Sequence, residues 1–101
     1  PRIAEAEAGR VATLTLHIQA HEPPPTRRLP YRIRCSDETG EIALVFFHAK
    51  GDYLKRLLPE GEIRVVSGPV EKFRNALQIV HPDLIIKPEE TDKLQEIEQD
   101  S

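Results

Sequence analysis

Several kinds of site are missing from this chain of 101 residues. Its one cysteine, Cys35, cannot form an internal disulfide and has no second thiol with which to hold a metal, so we expect a buried strand residue. Neither the P-loop pattern GxxxxGK nor GxGxxG occurs, and the four histidines lack zinc-site spacing. No serine stands in a catalytic motif. We therefore expect no catalytic residue, no metal and no enzyme activity in this chain.

Long hydrophobic runs are absent as well. No apolar run approaches the roughly 20 residues of a membrane-spanning helix, and no signal-peptide pattern opens the chain. We therefore expect a cytoplasmic protein without a membrane partner. The chain contains no methionine and starts at Pro1, so we expect a segment of a longer protein. Its length suits one domain, which we expect to be monomeric.

Charge is distributed unevenly along the chain, whose formal net charge is −3. Residues 21–87 carry 11 Lys/Arg against 9 Asp/Glu, whereas residues 88–101 set one lysine against six acids. We divide the chain into a lead-in segment 1–9, a folded domain 10–87 and an acidic C-terminal tail or helix 88–101. The net charge thus neither supports nor excludes a nucleic-acid surface on the folded domain.

Alternating apolar and polar residues predict most of the elements. Residues 10–20, RVATLTLHIQA, indicate a long first strand that curves. The four prolines of residues 21–30 predict an exposed loop, which carries Arg27 and Arg28. Residues 31–36 and 41–47 predict a hairpin, because the intervening 37–40 has the composition of a type I turn.

A short helix and two further strands complete the pattern. Apolar spacing predicts a helix over residues 51–58, with Asp52 as its N-cap. The fourth strand spans 62–71, with a bulge or bend at Gly68-Pro69. A turn at 72–76 leads to a fifth strand at 77–80, and residues 84–86 are a candidate continuation of that strand. This order predicts an all-β fold with one short helix, a five-stranded OB-fold Greek-key barrel.

The five aromatic residues become informative once they are placed on this barrel. Alternation predicts that Phe46 lies in the core and that Phe47 faces outward, beside Lys50. Tyr53 stands either at the same rim or on the apolar side of the helix. Phe73 is either exposed beside Lys72 and Arg74 or folded back. An exposed ring next to basic residues is suited to stacking on a nucleic-acid base.

Several segments resemble the wedge domain of bacterial ATP-dependent DNA helicases of the RecG type: DETGEIALVFF, DYLK, VSGPVEKF and LQIVHPDLI. The resemblance implies binding of branched DNA, such as replication forks and Holliday junctions, and separation of strands at the junction during DNA repair and recombination. The Phe-Phe pair of that family matches Phe46 and Phe47, and its following tyrosine matches Tyr53. Helicase motor domains of the same longer chain would be the partners that use ATP and Mg²⁺, and this segment would hold no cofactor.

The predicted DNA-binding residues combine the aromatic and basic candidates: Phe47, Tyr53, Arg27, Arg28, Lys50, Lys72, Phe73 and Arg74. Two alternatives remain open on the sequence. One is an OB-fold module that binds RNA, of the anticodon-binding type. The other is an OB-fold domain that docks on a protein through the acidic tail or the Leu/Tyr face of the helix.

Overall fold

A computed structural model describes residues 1–92 of the chain, so residues 93–101 of the predicted acidic tail lie outside the described part. Short 3-10 turns stand at Ile3–Glu5 and Pro88–Glu90. The remaining elements are, in chain order, β1 Val11–Glu22, β2 Tyr31–Asp37, β3 Gly40–Phe46, α1 Gly51–Leu57, β4 Ile63–Phe73, β5 Ala76–Val80 and β6 Leu84–Ile86.

The strands close into a barrel in the order β1-β2-β3-β5-β4, because β4 also pairs with β1. All contacts in this ring are antiparallel except that of β3 with β5, where Leu44 lies opposite Ile79. Strand β6 resumes the pairing with β4 after an interruption at His81-Pro82, and so continues the line of β5. The predicted five-stranded barrel with one short helix is confirmed.

Strand β1 pairs with two different strands, β4 and β2, and must bend to do so. Its first half pairs with β4 and its second half with β2, and the register with β2 shifts between Ile18 and Ala20. Of the predicted bulge or bend at Gly68-Pro69, the bulge is absent from the pairing with β1, whose register runs on to Pro69 without a shift, and β4 pairs with β5 from Val70 onward. Glycine is required at position 68 for a steric reason. A Cβ at this position would lie 2.6 Å from Cγ2 of Ile79, so the close approach of β5 requires glycine.

The barrel interior is filled by alternate residues of the strands together with Leu54 of α1 and Leu58, the C-cap residue of that helix. Leu16, Ile33 and Leu44 are fully buried, as is Cys35. The lead-in segment contributes too, because Ile3 is buried in the same core. A side chain of the β2–β3 turn holds this segment in place: Asp37 accepts hydrogen bonds from the backbone N–H groups of Ile3, Thr39 and Gly40.

Helix α1 covers one end of the barrel between β3 and β4, and its Leu54 is fully buried. The predicted N-cap, Asp52, is wrong: the N-cap position belongs to Lys50, which makes no side-chain cap hydrogen bond, and Asp52 lies in the first turn. Near the other end of the helix, Nε2 of His21 donates to the carbonyl oxygen of Leu58 at 2.7 Å, and Nδ1 accepts from the Tyr31 hydroxyl at 2.6 Å. Backbone pairing with β2 places His21 and Glu22 in β1 rather than in the predicted proline-rich loop.

Within residues 1–92, no helix has the length and apolar character needed to cross a membrane.

Candidate nucleic-acid interface

A groove of about 840 Å³ runs along the outside of the barrel. Outward-facing residues of four adjacent strands form its floor, the proline-rich β1–β2 loop forms one wall, and the tip of the β4–β5 hairpin stands opposite. Its lining comprises Glu22, Pro23, Pro24, Pro25, Leu29, Pro30, Arg32, Val45, Phe47, Glu71, Phe73, Arg74, Ala76, Gln78 and Val80. Most of this lining is apolar, which suits the face of an aromatic ring.

Phe47 directly follows β3, lines the groove and is 44% exposed, while Phe46 is buried. The predicted inward and outward placement of this pair is confirmed. His81 fixes the exposed member: its Nε2 accepts a hydrogen bond from the Phe47 N–H at 3.1 Å, and the two rings lie 5.9 Å apart. The His81 N–H donates in turn to the Val45 carbonyl oxygen. These hydrogen bonds thus fix the backbone that carries the Phe47 ring.

The tip of the β4–β5 hairpin carries the second exposed ring. Phe73 is 51% exposed, and the Arg74 guanidinium lies over its ring, 5.2 Å from the centroid. The predicted turn over residues 72–76 is too long, because Phe73 still pairs with Ala76. Only Arg74 and Asn75 make the turn, with φ of 50° and 69°, as in a type I′ hairpin. This tight turn holds Phe73 in the strand and Arg74 beside it.

Three polar side chains cross the floor of the groove, and we call them the polar row: Arg32 of β2, Gln78 of β5 and Glu71 of β4. Nη1 of Arg32 donates to Oε1 of Gln78 at 3.4 Å, so the arginine side chain crosses β3. Nε2 of Gln78 donates to Oε2 of Glu71 at 3.3 Å. Gln78 is only 8% exposed, and its amide is held from both sides.

None of the three residues of the polar row is among the site residues predicted from the sequence. Alternation in β5 places Leu77 and Ile79 toward the core, and therefore Gln78 toward the outside. The same rule applied to β4, which pairs Glu71 with Gln78, would have found the carboxylate. The signal was present, but it required the register of β4 and β5.

The predicted site residues divide into three sets. Phe47, Phe73 and Arg74 line the groove together. Arg27 and Arg28 are exposed in the β1–β2 loop, next to the groove residue Leu29. The other three do not line the groove: Lys50 lies at the start of α1, Tyr53 on its exposed side, and Lys72 on the face of β4 opposite Phe73.

Two reactive side chains outside the groove, Cys35 and Tyr31, are buried in the core. Burial raises the pKa of the Cys35 thiol to about 12, so this thiol stays protonated. Burial also raises the pKa of the Tyr31 hydroxyl, with smaller contributions from Glu60 and Asp52. Across residues 1–92, no three His, Cys, Asp or Glu side chains cluster in a way that could hold a metal ion. What the groove itself offers is stacking on two rings, guanidinium groups for phosphate, and hydrogen bonding from the polar row.

Comparisons with known proteins agree with the barrel fold described above. The family model tRNA_anti-codon, described as an OB-fold nucleic acid binding domain, matches residues 8–87. The second OB-fold domain of replication protein A from Methanococcus maripaludis, solved by solution NMR, superposes with a TM-score of 0.60 at 22% sequence identity. That alignment covers 88% of this chain and 94% of the archaeal domain, which shows the shared fold. No curated protein matches the sequence.

Proposed function

The chain belongs to the family of OB-fold nucleic acid binding domains, and from this premise we propose that it binds unpaired bases of branched DNA in the groove between the β1–β2 loop and the β4–β5 hairpin. The observation that carries the proposal is the pair of half-exposed rings, Phe47 and Phe73, in a groove whose lining is mostly apolar. Each base stacked on an aromatic ring contributes about 1–3 kcal/mol without sequence readout.

Basic residues at the ends of the groove supply the phosphate contacts in this proposal. Arg74 stands at the hairpin tip, and Arg27 and Arg28 are exposed in the facing loop. A strand that lies along the groove therefore meets guanidinium groups on both sides of the stacked bases. Guanidinium groups bind phosphate oxygens in bidentate fashion, which also orients the backbone.

We further propose that the domain acts as the strand-separating wedge of a longer RecG-like helicase. Support comes from the resemblance around Phe46, Phe47 and Tyr53 and from the exposed position of Phe47 at the end of β3. A ring placed on the last base pair of a fork would offset part of the cost of unstacking, a few kcal/mol per step. In this proposal the domain performs no catalysis, and ATP and Mg²⁺ are used by motor domains elsewhere in the longer chain.

Fluorescence anisotropy with a labelled fork, a single strand and a linear duplex tests the proposal, at about 50 mM salt so that phosphate contacts are not screened. The wild-type domain should bind the fork and the single strand more tightly than the duplex. Phe47→Ala should weaken both by about tenfold, because it removes one stacking surface. The matched control is Ile63→Ala, because Ile63 is an apolar residue of similar exposure, 48%, that does not line the groove.

The other readings predict different results in the same assay. Equal affinity for single-stranded RNA and forked DNA would favour an RNA-binding module instead. No binding to any nucleic acid even at low salt would favour a protein-docking domain. Tyr53→Ala addresses the wedge itself: Tyr53 does not line the groove, so a loss confined to forked DNA would assign it to the second arm of the junction.

A further inference from the structure

The polar row lies where a base stacked in the groove would present its edge. Arg32, Gln78 and Glu71 line the same groove as the two exposed rings, and each comes from a different strand. Their side chains are already oriented by hydrogen bonds to one another. The groove volume of about 840 Å³ falls in the range of small-molecule sites, roughly 300–1,000 Å³. A base therefore has room to approach the row.

The two ends of the row, Arg32 and Glu71, keep hydrogen-bonding capacity after these contacts. Arg32 uses one guanidinium nitrogen on Gln78 and retains further N–H donors. Glu71 uses Oε2 on Gln78, which leaves Oε1 as an acceptor. Gln78 cannot rotate its amide without losing both contacts. The row thus presents donors at the Arg32 end and an acceptor at the Glu71 end.

Only some bases match this order of donors and acceptors. Cytosine and adenine each pair an exocyclic amino group with an adjacent ring acceptor, and guanine also carries an amino group. Thymine and uracil have carbonyl acceptors on both sides of their single N–H. When such an edge spans the row from Arg32 to Glu71, with its N–H in the middle, one of those oxygens faces the Glu71 carboxylate, which is a repulsive contact.

We propose that the polar row is a base-reading site, at which Glu71 accepts from the exocyclic amino group of an unpaired base and Arg32 donates to its acceptor atoms. The groove then prefers amino-bearing bases to thymine and uracil. This inference rests on the proposed function, because the base must first stack against Phe47 and Phe73. Gln78 is a positioning residue, which holds the two charged ends of the row in place.

Two oligonucleotides that differ only in the edge being read provide the test. Oligodeoxycytidine and oligodeoxyuridine of about ten nucleotides cover the site size of one OB fold. They share the backbone and ring size, and they differ at the C4 substituent and the N3 proton. By anisotropy near neutral pH, the cytidine strand should bind about tenfold more tightly, as expected for one well-made side-chain contact to a base edge.

Glu71→Gln identifies the residue responsible. The glutamine amide donates as well as accepts, so the ratio of the two affinities should fall to about one, even if both affinities rise because a negative charge is lost. The matched control is Glu38→Gln, which removes the same charge at the exposed β2–β3 turn, at the other end of that hairpin from Phe47. This control should keep the wild-type ratio.

The outcomes separate this inference from the function on which it rests. Equal affinity for the two strands, with Phe47→Ala still weakening both, would overturn base reading and leave the groove as a binding site. A preference for uridine, or a preference that Glu71→Gln leaves unchanged, would also overturn it. Binding that is unaffected by Phe47→Ala, or no binding at all, would overturn the proposed function and base reading together.

Discussion

Arg74 occupies the first of the two left-handed positions of the β4–β5 turn, at a φ of 50°. Residues other than glycine, asparagine and aspartate are disfavoured there, and a side chain held in this conformation costs about 1 kcal/mol or more. Its contact with the Phe73 ring offsets part of this cost, by about 0.5–1 kcal/mol at an exposed site. The turn itself therefore does not favour an arginine at this position, whereas the proposed phosphate contact would require one.

We predict that Arg74→Asn separates binding from stability. Asparagine tolerates the left-handed conformation, so relief of strain should compensate for the lost contact with Phe73, and the free energy of unfolding should stay within about 1 kcal/mol of wild type. Affinity for single-stranded DNA should fall severalfold, because a phosphate contact is lost. Chemical denaturation and anisotropy measure the two quantities. A variant that loses stability and keeps its affinity would show that Arg74 serves the turn instead.

Among the elements, the β2–β3 turn does more than reverse the chain. Partial burial of Asp37 acts to raise its pKa, but hydrogen bonds from the Thr39 hydroxyl and from the N–H groups of Ile3, Thr39 and Gly40 outweigh this effect and lower it. The folded state therefore favours the ionised carboxylate. That contribution to stability is complete above the pKa of the unfolded chain, about 3.9, and disappears as the pH falls through the lower pKa of the folded state.

We predict that Asp37→Asn lowers the free energy of unfolding by about 1–2 kcal/mol at neutral pH, since hydrogen bonds to a charged acceptor are replaced by weaker ones. The difference between variant and wild type should shrink as the pH drops below about 4. Urea denaturation across this pH range measures it. The control is Glu38→Gln, which removes a charge from the same turn without removing these contacts. A difference that does not depend on pH would contradict the role of the carboxylate charge.

Strands β4 and β5 approach each other closely at Gly68, where β4 leaves β1 and joins β5. We predict that Gly68→Ala destabilises the domain by about 1–3 kcal/mol, because the new methyl group would lie 2.6 Å from Ile79 Cγ2 and 3.2 Å from Pro82 Cα. Thermal and chemical denaturation measure this loss. Val11→Ala, on the exposed start of β1 opposite Pro69, should change stability by less than about 0.5 kcal/mol. An equally stable Gly68→Ala would mean that β5 moves away at little cost.

The sequence predicted these elements well wherever a local pattern decides them. Alternation separated Phe46 from Phe47, and the composition of residues 37–40 predicted the turn. It was wrong where the cause lies on another strand. The register shift between Ile18 and Ala20 occurs where β1 changes its partner from β4 to β2, and Gly68 is required by the nearby Ile79 side chain. Neither feature follows from the neighbouring residues along the chain.

At the scale of the whole molecule, prediction of the groove from the sequence is limited in the same way, because residues distant in the chain form it together. Its lining comes from five separate parts of the chain. The sequence predicted the lining residues that are aromatic or basic and lie in or beside a loop, namely Phe47, Phe73 and Arg74. The polar row depends on the register of β2, β3, β5 and β4 together. Tyr53 and Lys72 are near groove residues in sequence, but the helix and the strand pleat direct them away from the groove.

The distribution of charge lets stacking and phosphate contacts be measured separately. Inside the groove Arg32 and Arg74 are balanced by Glu22 and Glu71, so excess positive charge resides outside it, on Arg27 and Arg28. For a single strand, the logarithm of the binding constant falls with the logarithm of salt concentration by about 0.7 per phosphate contact. We predict that replacing both loop arginines by alanine reduces this slope by about 1.4.

Phe47→Ala should instead lower affinity at every salt concentration and leave the slope unchanged, because stacking releases no counterions. Anisotropy titrations over a series of salt concentrations measure both effects. The matched control replaces Lys55 and Arg56, two exposed cations of α1 that do not line the groove, and should preserve the slope. If this control changes the slope as much as the loop variant, the strand is attracted by overall charge, and the β1–β2 loop does not form a specific wall of the site.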